Sequence, residues 1–318
     1  MSLKLSVVVA VYNEEENIKP LVSQINTALQ GYEYEIILSD DGSKDNTVKE
    51  ILALDDPRVK LVKLRKNYGQ SSAMSAGIDY AEGEYIVTMD GDLQNDPSDI
   101  PAMLKLAEEG EWGLVAGIRA NRKDGVFLRK IPSKIANRII QKSTGIKIKD
   151  YGCSLKIFEA DIAKNLGLYG ELHRFMPVLA NLQGASITQM DVKHHARQFG
   201  ESKYGINRTF KVVADLILML FFKKYLQKPI HLFGIWGVFL FGIGAVINLW
   251  LFIEKVFLGT DIWGRPIMIL GMMLLFGGIQ LITVGLITEL QMRTYYESQN
   301  KRPYKIKQVY KGANKIES

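Results

Sequence analysis

Two long stretches in the C-terminal third of this 318-residue chain carry no charged side chain, and they constrain its fold more than any other feature. Residues 230–253 and residues 266–288 are each longer than the about 20 apolar residues that cross a bilayer core as a helix. Buried hairpin helices in the core of a large soluble domain are the alternative. Because both stretches stay uncharged along their whole length, we predict two transmembrane helices and exclude a purely soluble enzyme.

Charges around these stretches predict their orientation. Residues 206–228 carry five Lys or Arg against one Asp, and residues 293–318 carry seven against two carboxylates, whereas the link at 254–265 is balanced. The positive-inside rule then places the N-terminal domain and both termini in the cytoplasm.

The single cysteine, Cys153, fits a reducing compartment because one cysteine excludes a disulfide framework and a cysteine-based zinc site. We divide the chain into a globular domain (1–205), a juxtamembrane amphipathic helix (206–228), a transmembrane hairpin (229–290) and a basic cytoplasmic tail (291–318).

The first 118 residues alternate between strand-like and helix-like periodicity. Apolar, β-branched runs predict strands at 5–11, 35–38, 59–64, 85–89 and 114–118. Helical patterns lie between them, at 17–29, 45–54, 71–81 and after Pro97. Strands that are apolar on both faces are typical of a mostly parallel sheet covered by helices on both sides. The fold class is therefore α/β with a Rossmann-like domain.

Polar residues follow each predicted strand at its carboxyl end, where ligands bind in such sheets. Any one group could be a turn or a helix cap, but five in succession favour a binding site. In chain order they are Asn13 and Glu14, then Asp40, Asp41, Gly42 and Ser43, then Asn67 and Gly69, then Asp90 and Asp92, and finally Arg119.

The fourth group is the candidate metal site. Asp90 and Asp92 flank Gly91, and Gln94 follows two residues later. In an extended segment these three side chains share one side, and a hard divalent cation relieves the repulsion between the carboxylates. A plain Asp-Gly-Asp turn is the alternative. The position directly after an apolar strand favours the metal site over the turn, and the expected cation is Mg²⁺ or Mn²⁺.

The motifs Val11-Tyr12-Asn13-Glu14, Asp40-Asp41-Gly42-Ser43 and Asp90-Gly91-Asp92-Leu93-Gln94 resemble those of family 2 glycosyltransferases with the GT-A fold. The similarity is strongest to the polyprenyl-phosphate glycosyltransferases, the group of dolichyl-phosphate mannose synthase and bactoprenol glucosyltransferase. Val11 departs from the Pro usual in the first motif. The chain has no Gln-x-x-Arg-Trp, which argues against processive polysaccharide synthases. The resemblance implies metal ligands at Asp90, Asp92 and Gln94, and a nucleotide-sugar site formed by Val11, Asn13, Glu14, Asp41, Gly42, Ser43, Asn67, Gly69 and Asp90.

A basic stretch at residues 119–149 has ten Lys or Arg against one acid, Asp124, and favours a polyanionic partner. Nucleic acid is disfavoured as that partner because stacking aromatics are sparse here and the chain is membrane-bound. The resemblance implies that Arg119, Arg122, Arg129 and Ser133 bind a lipid phosphate. It also implies a mobile loop carrying Arg197 and Lys203, which together with Asp92 and Asp150 complete the catalytic set. Asp150 is either a general base or a turn residue.

The resemblance implies an inverting transfer of a sugar from a nucleotide sugar, with UDP-glucose the expected donor, to a polyprenyl phosphate of undecaprenyl or dolichyl type. Transfer to another lipid such as diacylglycerol, and a catalytically inactive membrane scaffold, are the alternatives. The sequence does not determine the oligomeric state, although the tyrosine-rich tail at 295–311 could dock on a neighbouring subunit of a homo-oligomer.

Overall fold

The computed structural model describes residues 3–119, 146, 148–168, 170, 172–196, 230–263, 265–297 and 304–317. The chain forms two compact units. The first consists of Met1–Ile217 together with Arg302–Ser318, and the second of Leu218–Lys301. The first unit therefore takes its sequence from both ends of the chain.

The described part of the first unit is built around one sheet, in the order β7-β5-β6-β4-β1-β2-β3-β8-β9. The strands are β1 Leu5–Val11, β2 Tyr34–Asp40, β3 Val59–Leu64, β4 Tyr85–Asp90, β5 Leu114–Arg119, β6 Lys156–Glu159, β7 Ile187–Val192, β8 Ile306–Lys311 and β9 Asn314–Glu317. The helices of this unit are α1 Ile18–Ala28, α2 Thr47–Leu52, α3 Gln70–Asp79, α4 Ile100–Glu109, α5 Ala160–Lys164 and α6 Met176–Leu182, with short 3₁₀ turns at Pro97–Asp99 and Leu172–Phe175.

The central strands are buried on both faces, as their near-continuous apolar sequences predict. β1 pairs in parallel with β2 on one side and β4 on the other, and β2 pairs in parallel with β3. Val7 and Val9 belong to the core that also contains side chains of α1 and α4. Val8 faces the other way, where a Cβ on Gly77 of α3 would lie only 2.4 Å from its Cγ1. Helices thus cover both faces, which confirms the predicted α/β class.

Two strands, β6 and β8, run against the direction of the parallel core. β6 lies between β4 and β5 and is antiparallel to both, so β5 runs in the same direction as β4. β8 is antiparallel to β3, and β9 is antiparallel to β8. The sequence pattern did not reveal β6, β8 and β9 because they are short or polar; β8, for example, has two lysines and one glutamine among its six residues.

The C-terminal segment, which the sequence analysis described only as a basic tail, contains two strands. Its described residues, 304–317, form the β8–β9 hairpin on the edge of the chain's own sheet. The described part of the tail is therefore paired with β3 of the same chain. Burial of Val309 and Tyr304 accompanies this pairing.

The second unit contains two long helices, α7 Ile230–Leu258 and α8 Pro266–Glu297. Their most apolar parts, Phe233–Leu258 and Pro266–Thr288, have mean hydropathies of 2.1 and 2.2. Only 17% and 11% of the most apolar 18-residue windows are buried. Core helices of a soluble domain are mostly buried, so the outward-facing apolar side chains favour a pair of membrane helices.

Glycines bring α7 and α8 into close contact. A Cβ on Gly244 would lie 2.7 Å from the backbone N of Leu275 and 2.8 Å from the carbonyl oxygen of Gly271. One heptad earlier in α7, a Cβ on Gly237 would lie 2.8 Å from the carbonyl oxygen of Gly278. Gly237 faces Gly278 and the later Gly244 faces the earlier Gly271, so the two helices are antiparallel. Small residues that let two backbones approach are typical of helix contacts in membranes.

We expect Gly244→Leu to destabilise the hairpin, because the new side chain has no space between the two backbones. Overpacking of this kind typically costs about 1–3 kcal/mol. Gly242→Leu is the matched control, because Gly242 is exposed on the same helix and a Cβ there would meet nothing within 4 Å. Thermal unfolding of both purified variants in detergent checks this. Equal melting temperatures for the two would contradict the described packing.

Candidate active site

The parallel arrangement of β1 to β5 gathers the predicted site residues at one edge of the sheet. β1, β2, β3 and β4 run in one direction, and β5 shares it through the intervening β6. The polar groups that follow these five strands therefore meet at their common carboxyl end. The sequence prediction of a site at this edge agrees with the topology.

The loops after β1 and β2 are hydrogen-bonded to each other. The backbone N–H of Asn13 donates to Ser43 Oγ at 2.9 Å, and the side-chain Oδ1 of Asn13 accepts the N–H of Lys44 at 2.8 Å. Asp41 N–H donates to the carbonyl oxygen of Val11 at 2.9 Å. Asn13 has a φ of 51°, a left-handed conformation that Asn tolerates better than most residues. The first two motifs thus form one connected surface.

Glu14 is held on the same surface. Its backbone N–H donates to Thr47 Oγ1 at 2.9 Å, and its carboxylate accepts from the side chain of Asn17 at 2.5 Å. Glu14 therefore ties the end of β1 to the start of α2 and to the residue that precedes α1.

The two aspartates after β2 have different surroundings. Asp41 accepts the backbone N–H groups of Tyr68 at 2.7 Å and Gly69 at 3.0 Å, one on each carboxylate oxygen. It therefore anchors the loop between β3 and α3. Burial raises the pKa of Asp41, and these two hydrogen bonds oppose the increase.

Asp40 is fully buried, and one of its carboxylate oxygens has no donor in the part of the chain that the structure describes. Its Oδ1 accepts the N–H of Ser43 at 3.1 Å, while its Oδ2 has no hydrogen-bond partner among the described residues. Burial raises the pKa of this carboxyl above its usual value, and the Ser43 hydrogen bonds only partly offset that effect. A buried acceptor without a protein donor is costly, and an N–H or O–H group of a ligand would satisfy it.

Gly42 is required by a close approach of two loops. Its φ is +73°, and a Cβ there would lie 2.6 Å from the carbonyl carbon of Lys66. The β3–α3 loop, with exposed Asn67 and half-buried Gly69, therefore packs directly against the second motif. Both predicted loop residues lie beside the Asp41 anchor.

The segment after β4 bends, so Asp90, Asp92 and Gln94 do not lie in one extended strand as the sequence analysis assumed, and their metal binding stays a prediction. β4 ends at Asp90, and Leu93 has a φ of 60°, in the left-handed region. The chain turns there, because buried Leu93 points its side chain into the core. Left-handed backbone at such a residue costs free energy and is concentrated at functional sites.

Asp90 ends β4, and Asp92 follows two residues later in the turn. Asp90 Oδ1 accepts a hydrogen bond from Gln70 Nε2 at 2.7 Å, and Asp92 Oδ1 accepts the backbone N–H of Gln94 at 3.2 Å. Within the described ranges, no group of three or more His, Cys, Asp or Glu side chains is placed to hold a metal. Mg²⁺ and Mn²⁺ do not require such a group, because one or two carboxylates plus substrate phosphate oxygens and water are a common ligand set for Mg²⁺. Asp90 and Asp92 fit that chemistry.

Arg119 and Asp150 form an ion pair beside this acidic motif. Arg119 donates from Nε to Asp150 Oδ2 at 2.7 Å and from a terminal nitrogen to Asp150 Oδ1 at 2.9 Å. Burial by itself would lower the pKa of Arg119, but the hydrogen bond to Asp150, the charge of Asp150 and smaller contributions that include Asp90 together raise the pKa overall. Asp150 Oδ1 also accepts the N–H of Gly152 at 3.1 Å, as in the turn that was one of its two interpretations.

Two side chains near the acidic motif were not singled out from the sequence. Gln70 begins α3 and bonds Asp90. Lys156 in β6 is almost completely buried, and its ammonium group donates to the carbonyl oxygen of Cys153. Burial lowers the pKa of Lys156, while Asp150 and Asp90 are among the groups that oppose this. A lone Lys inside the apolar run 155–158 was the signal that could have identified it.

The remaining predicted site residues, Arg122, Arg129, Ser133, Arg197 and Lys203, lie outside the described residues. The segment that leads to Arg197 is described up to residue 196. Its His195 N–H donates to the carbonyl oxygen of Gln94 at 2.8 Å, and its imidazole Nε2 lies 3.0 Å from Asp96 Oδ2. The chain thus passes the acidic motif just before it reaches Arg197.

Comparison with solved structures shows a shared fold. The structure of glucosyl-3-phosphoglycerate synthase from Mycobacterium tuberculosis with phosphoglyceric acid matches with a TM-score of 0.54 and 18% identity, over 69% of this chain and 79% of that chain. The same enzyme with Mn²⁺, uridine-diphosphate-glucose and phosphoglyceric acid also matches with a TM-score of 0.54, at 17% identity and the same coverage. The first unit therefore has the GT-A fold.

Sequence comparison gives longer matches. The chain is 46% identical to the dodecaprenyl-phosphate galacturonate synthase of Rhizobium johnstonii, over 97% of this chain and 94% of that protein. It is 34% identical, with the same coverage, to the undecaprenyl-phosphate 4-deoxy-4-formamido-L-arabinose transferase of Aeromonas hydrophila. The model of glycosyl transferase family 2 matches residues 6–167, which contain the three motifs at the sheet edge. The chain belongs to glycosyl transferase family 2.

Proposed function

We propose that this glycosyltransferase moves a sugar from a nucleotide sugar to a polyprenyl phosphate at the cytoplasmic face of a membrane. The observation that carries the proposal is the extent of the sequence match. Relatives named for dodecaprenyl-phosphate and undecaprenyl-phosphate products match over 97% of the chain, which includes both apolar helices. The match to the solved glucosyl-3-phosphoglycerate synthase structure covers only 69% of the chain. The membrane helices thus accompany the catalytic unit in relatives named for lipid-linked products.

The donor sugar has two candidates. UDP-glucose is the donor implied by the motifs that resemble bactoprenol glucosyltransferase. A nucleotide-activated uronic acid is favoured by the relative that is 46% identical and named a galacturonate synthase. The two candidates are separated by measuring kcat/KM for UDP-glucose and for a nucleotide-activated uronic acid with the same polyprenyl phosphate. The donor with the higher kcat/KM is the preferred one.

The sheet edge supplies the groups for nucleotide binding. The Oδ2 of Asp40 has no hydrogen-bond partner among the described residues, which supports a contact with an N–H or hydroxyl of the nucleotide. The further residues that we assign to the nucleotide sugar are Val11, Asn13, Glu14, Asp41, Gly42, Ser43, Asn67, Gly69 and Asp90.

Asp90 and Asp92 are the residues that would hold Mg²⁺ or Mn²⁺, with Gln94 next to them. When bound, the cation supplies Lewis-acid stabilisation of the negative charge on the leaving nucleotide diphosphate. Gln70 keeps Asp90 oriented through its hydrogen bond. Arg119 adds a fixed positive charge close to the same motif.

The acceptor requires positioning more than deprotonation. A phosphate monoester has a second pKa near ~6, so its attacking oxygen is already charged at neutral pH. We assign its binding to Arg119, Arg122, Arg129 and Ser133, since guanidinium groups bind phosphate oxygens in a two-pronged fork. Arg197 and Lys203 would close over the donor and exclude water, which otherwise hydrolyses it.

The return of the chain to its own sheet supports the proposed orientation. β8 pairs with β3, so the chain re-enters the first unit after α7 and α8. Two crossings bring both ends of the hairpin to one side of the membrane. The basic flanks of the hairpin favour the cytoplasmic side.

A labelled-donor assay on membranes tests the function. We expect label to enter a lipid that releases sugar under mild acid, because a sugar linked through phosphate to a polyprenol is acid-labile. An acid-stable lipid product would favour another acceptor such as diacylglycerol. No lipid product and no donor hydrolysis with any donor would favour an inactive scaffold.

Asp92→Asn is expected to abolish turnover without unfolding the protein. It removes a charge from the cation site, and loss of one such electrostatic contact typically costs at least ~10²-fold in rate. Asp161→Asn is the control, because Asp161 is an exposed acid on α5. Steady-state rates across a Mn²⁺ titration check this. Near-normal activity of Asp92→Asn at low Mn²⁺ would show that Asp92 is not a ligand.

Asp150→Asn is expected to lose less activity than Asp92→Asn. The carboxylate of Asp150 is engaged by Arg119 and Gly152, so we assign it to positioning Arg119. The amide keeps an acceptor, and the activity of the variant should recover as the pH rises above the phosphate pKa near ~6. The pH–rate profile of the variant beside wild type is the measurement. A variant that is inactive at every pH while still binding donor would make Asp150 an obligatory base.

A further inference from the structure

The tail that follows the membrane hairpin contacts the start of the loop between β3 and α3. β8 pairs with β3 as far as Leu64, which lies opposite Ile306. Beyond that pair, the backbone N–H of Arg65 donates to the carbonyl oxygen of Lys305 at 3.1 Å. The Nε of Arg65 donates to the carbonyl oxygen of Ile306 at 3.3 Å. The first residue of the loop is therefore fixed to the tail by both its backbone and its side chain.

The same tail also contacts the far end of α3. Tyr304 is only 6% exposed, and its hydroxyl donates to the carboxylate of Asp79, the last residue of α3. Arg65 and Asp79 bracket the β3–α3 loop and the whole of α3. The tail thus holds this segment at both ends.

The bracketed segment carries contacts to both acidic motifs of the site. The N–H groups of Tyr68 and Gly69 bind the carboxylate of Asp41, and Gln70 binds Asp90. These three residues are consecutive, so a shift of the loop moves all of their contacts together. Asp41 and Asp90 lie on different strands, and the bracketed segment is a direct link between them.

We propose that Tyr304 is a positioning residue for the nucleotide-sugar site. By fixing the C-terminal end of α3, while Arg65 is fixed at the other end, the tail keeps Tyr68, Gly69 and Gln70 in the geometry that binds Asp41 and Asp90. Ordering this segment before the donor arrives lowers the entropy that binding must overcome. The inference rests on the proposed function, because it takes this edge as the donor site.

The test compares full-length Tyr304→Phe with wild type in detergent. Hydrogen exchange is measured for a peptide that covers residues 65–70, and affinity is measured with uridine diphosphate as the probe. We expect faster exchange of the peptide and an affinity about tenfold weaker, the lower end for losing one hydrogen bond to a charged group. The donor KM should rise by a similar factor while kcat at saturating donor changes little.

Tyr310→Phe is the matched control. The hydroxyl of Tyr310 donates to Gln308 Oε1 at 2.9 Å within β8, so its removal should change neither exchange of residues 65–70 nor nucleotide affinity. Asp79→Ala should reproduce the effect of Tyr304→Phe. The double variant should show no further loss, because both changes remove the same hydrogen bond.

The outcomes separate this inference from the proposed function. Unchanged exchange and unchanged uridine diphosphate affinity in Tyr304→Phe would overturn the positioning role. Faster exchange with unchanged affinity would also overturn it, because the loop would then move without affecting the site. Wild-type protein that binds uridine diphosphate but transfers no sugar to any polyprenyl phosphate would overturn the proposed acceptor and leave the positioning role standing.

Discussion

Parallel pairing of β1 with β2 and β4 is the constraint on which the rest of this structure depends. Strands that run in one direction end at one edge, so the pairing places Asp40, Asp41 and Asp90 close together although up to 50 residues separate them in the chain. The pairing is stable because Val7 and Val9 on one face and Val8 on the other are each covered by helices. The apolar strands thus supply the free energy that holds mutually repelling carboxylates in place.

The carboxylates of the site accept hydrogen bonds from neighbouring groups of different kinds. Asp41 is satisfied by backbone N–H groups, Asp90 by an amide, and Asp150 by a guanidinium. Asp40 retains one buried oxygen without a partner among the described residues. An N–H donor would satisfy the remaining oxygen of Asp40, and a divalent cation would offset the charge of the carboxylates. A nucleotide sugar bound together with a divalent cation brings both. The free energy stored in unsatisfied groups of this kind is characteristic of functional sites.

The C-terminal hairpin connects the membrane helices to this arrangement. The chain leaves the first unit, forms α7 and α8, and returns to the edge of the same sheet beside β3. Covering an edge strand also protects it from pairing with other chains. The returning segment contacts Arg65, at the start of the loop that binds Asp41, and Asp79, at the end of the helix that follows this loop. The returning segment therefore both covers the β3 edge and contacts the two ends of the segment that binds Asp41 and Asp90.

The sequence by itself determined the α/β class, the positions of β1 to β5, the two membrane-length helices and the edge at which the motifs lie. These features follow from local periodicity and from the common direction of parallel strands, and both can be inferred from residue order. Only the tertiary structure decided which strands lie beside β4 and β3, because β6 and β8 are too short or too polar to have a distinctive pattern. It also decided the turn at Leu93, the pairing of Asp150 with Arg119 and the contacts of Gln70 and Tyr304. Each of these depends on residues distant in sequence, or on a backbone conformation fixed by packing, and a linear pattern does not record either one.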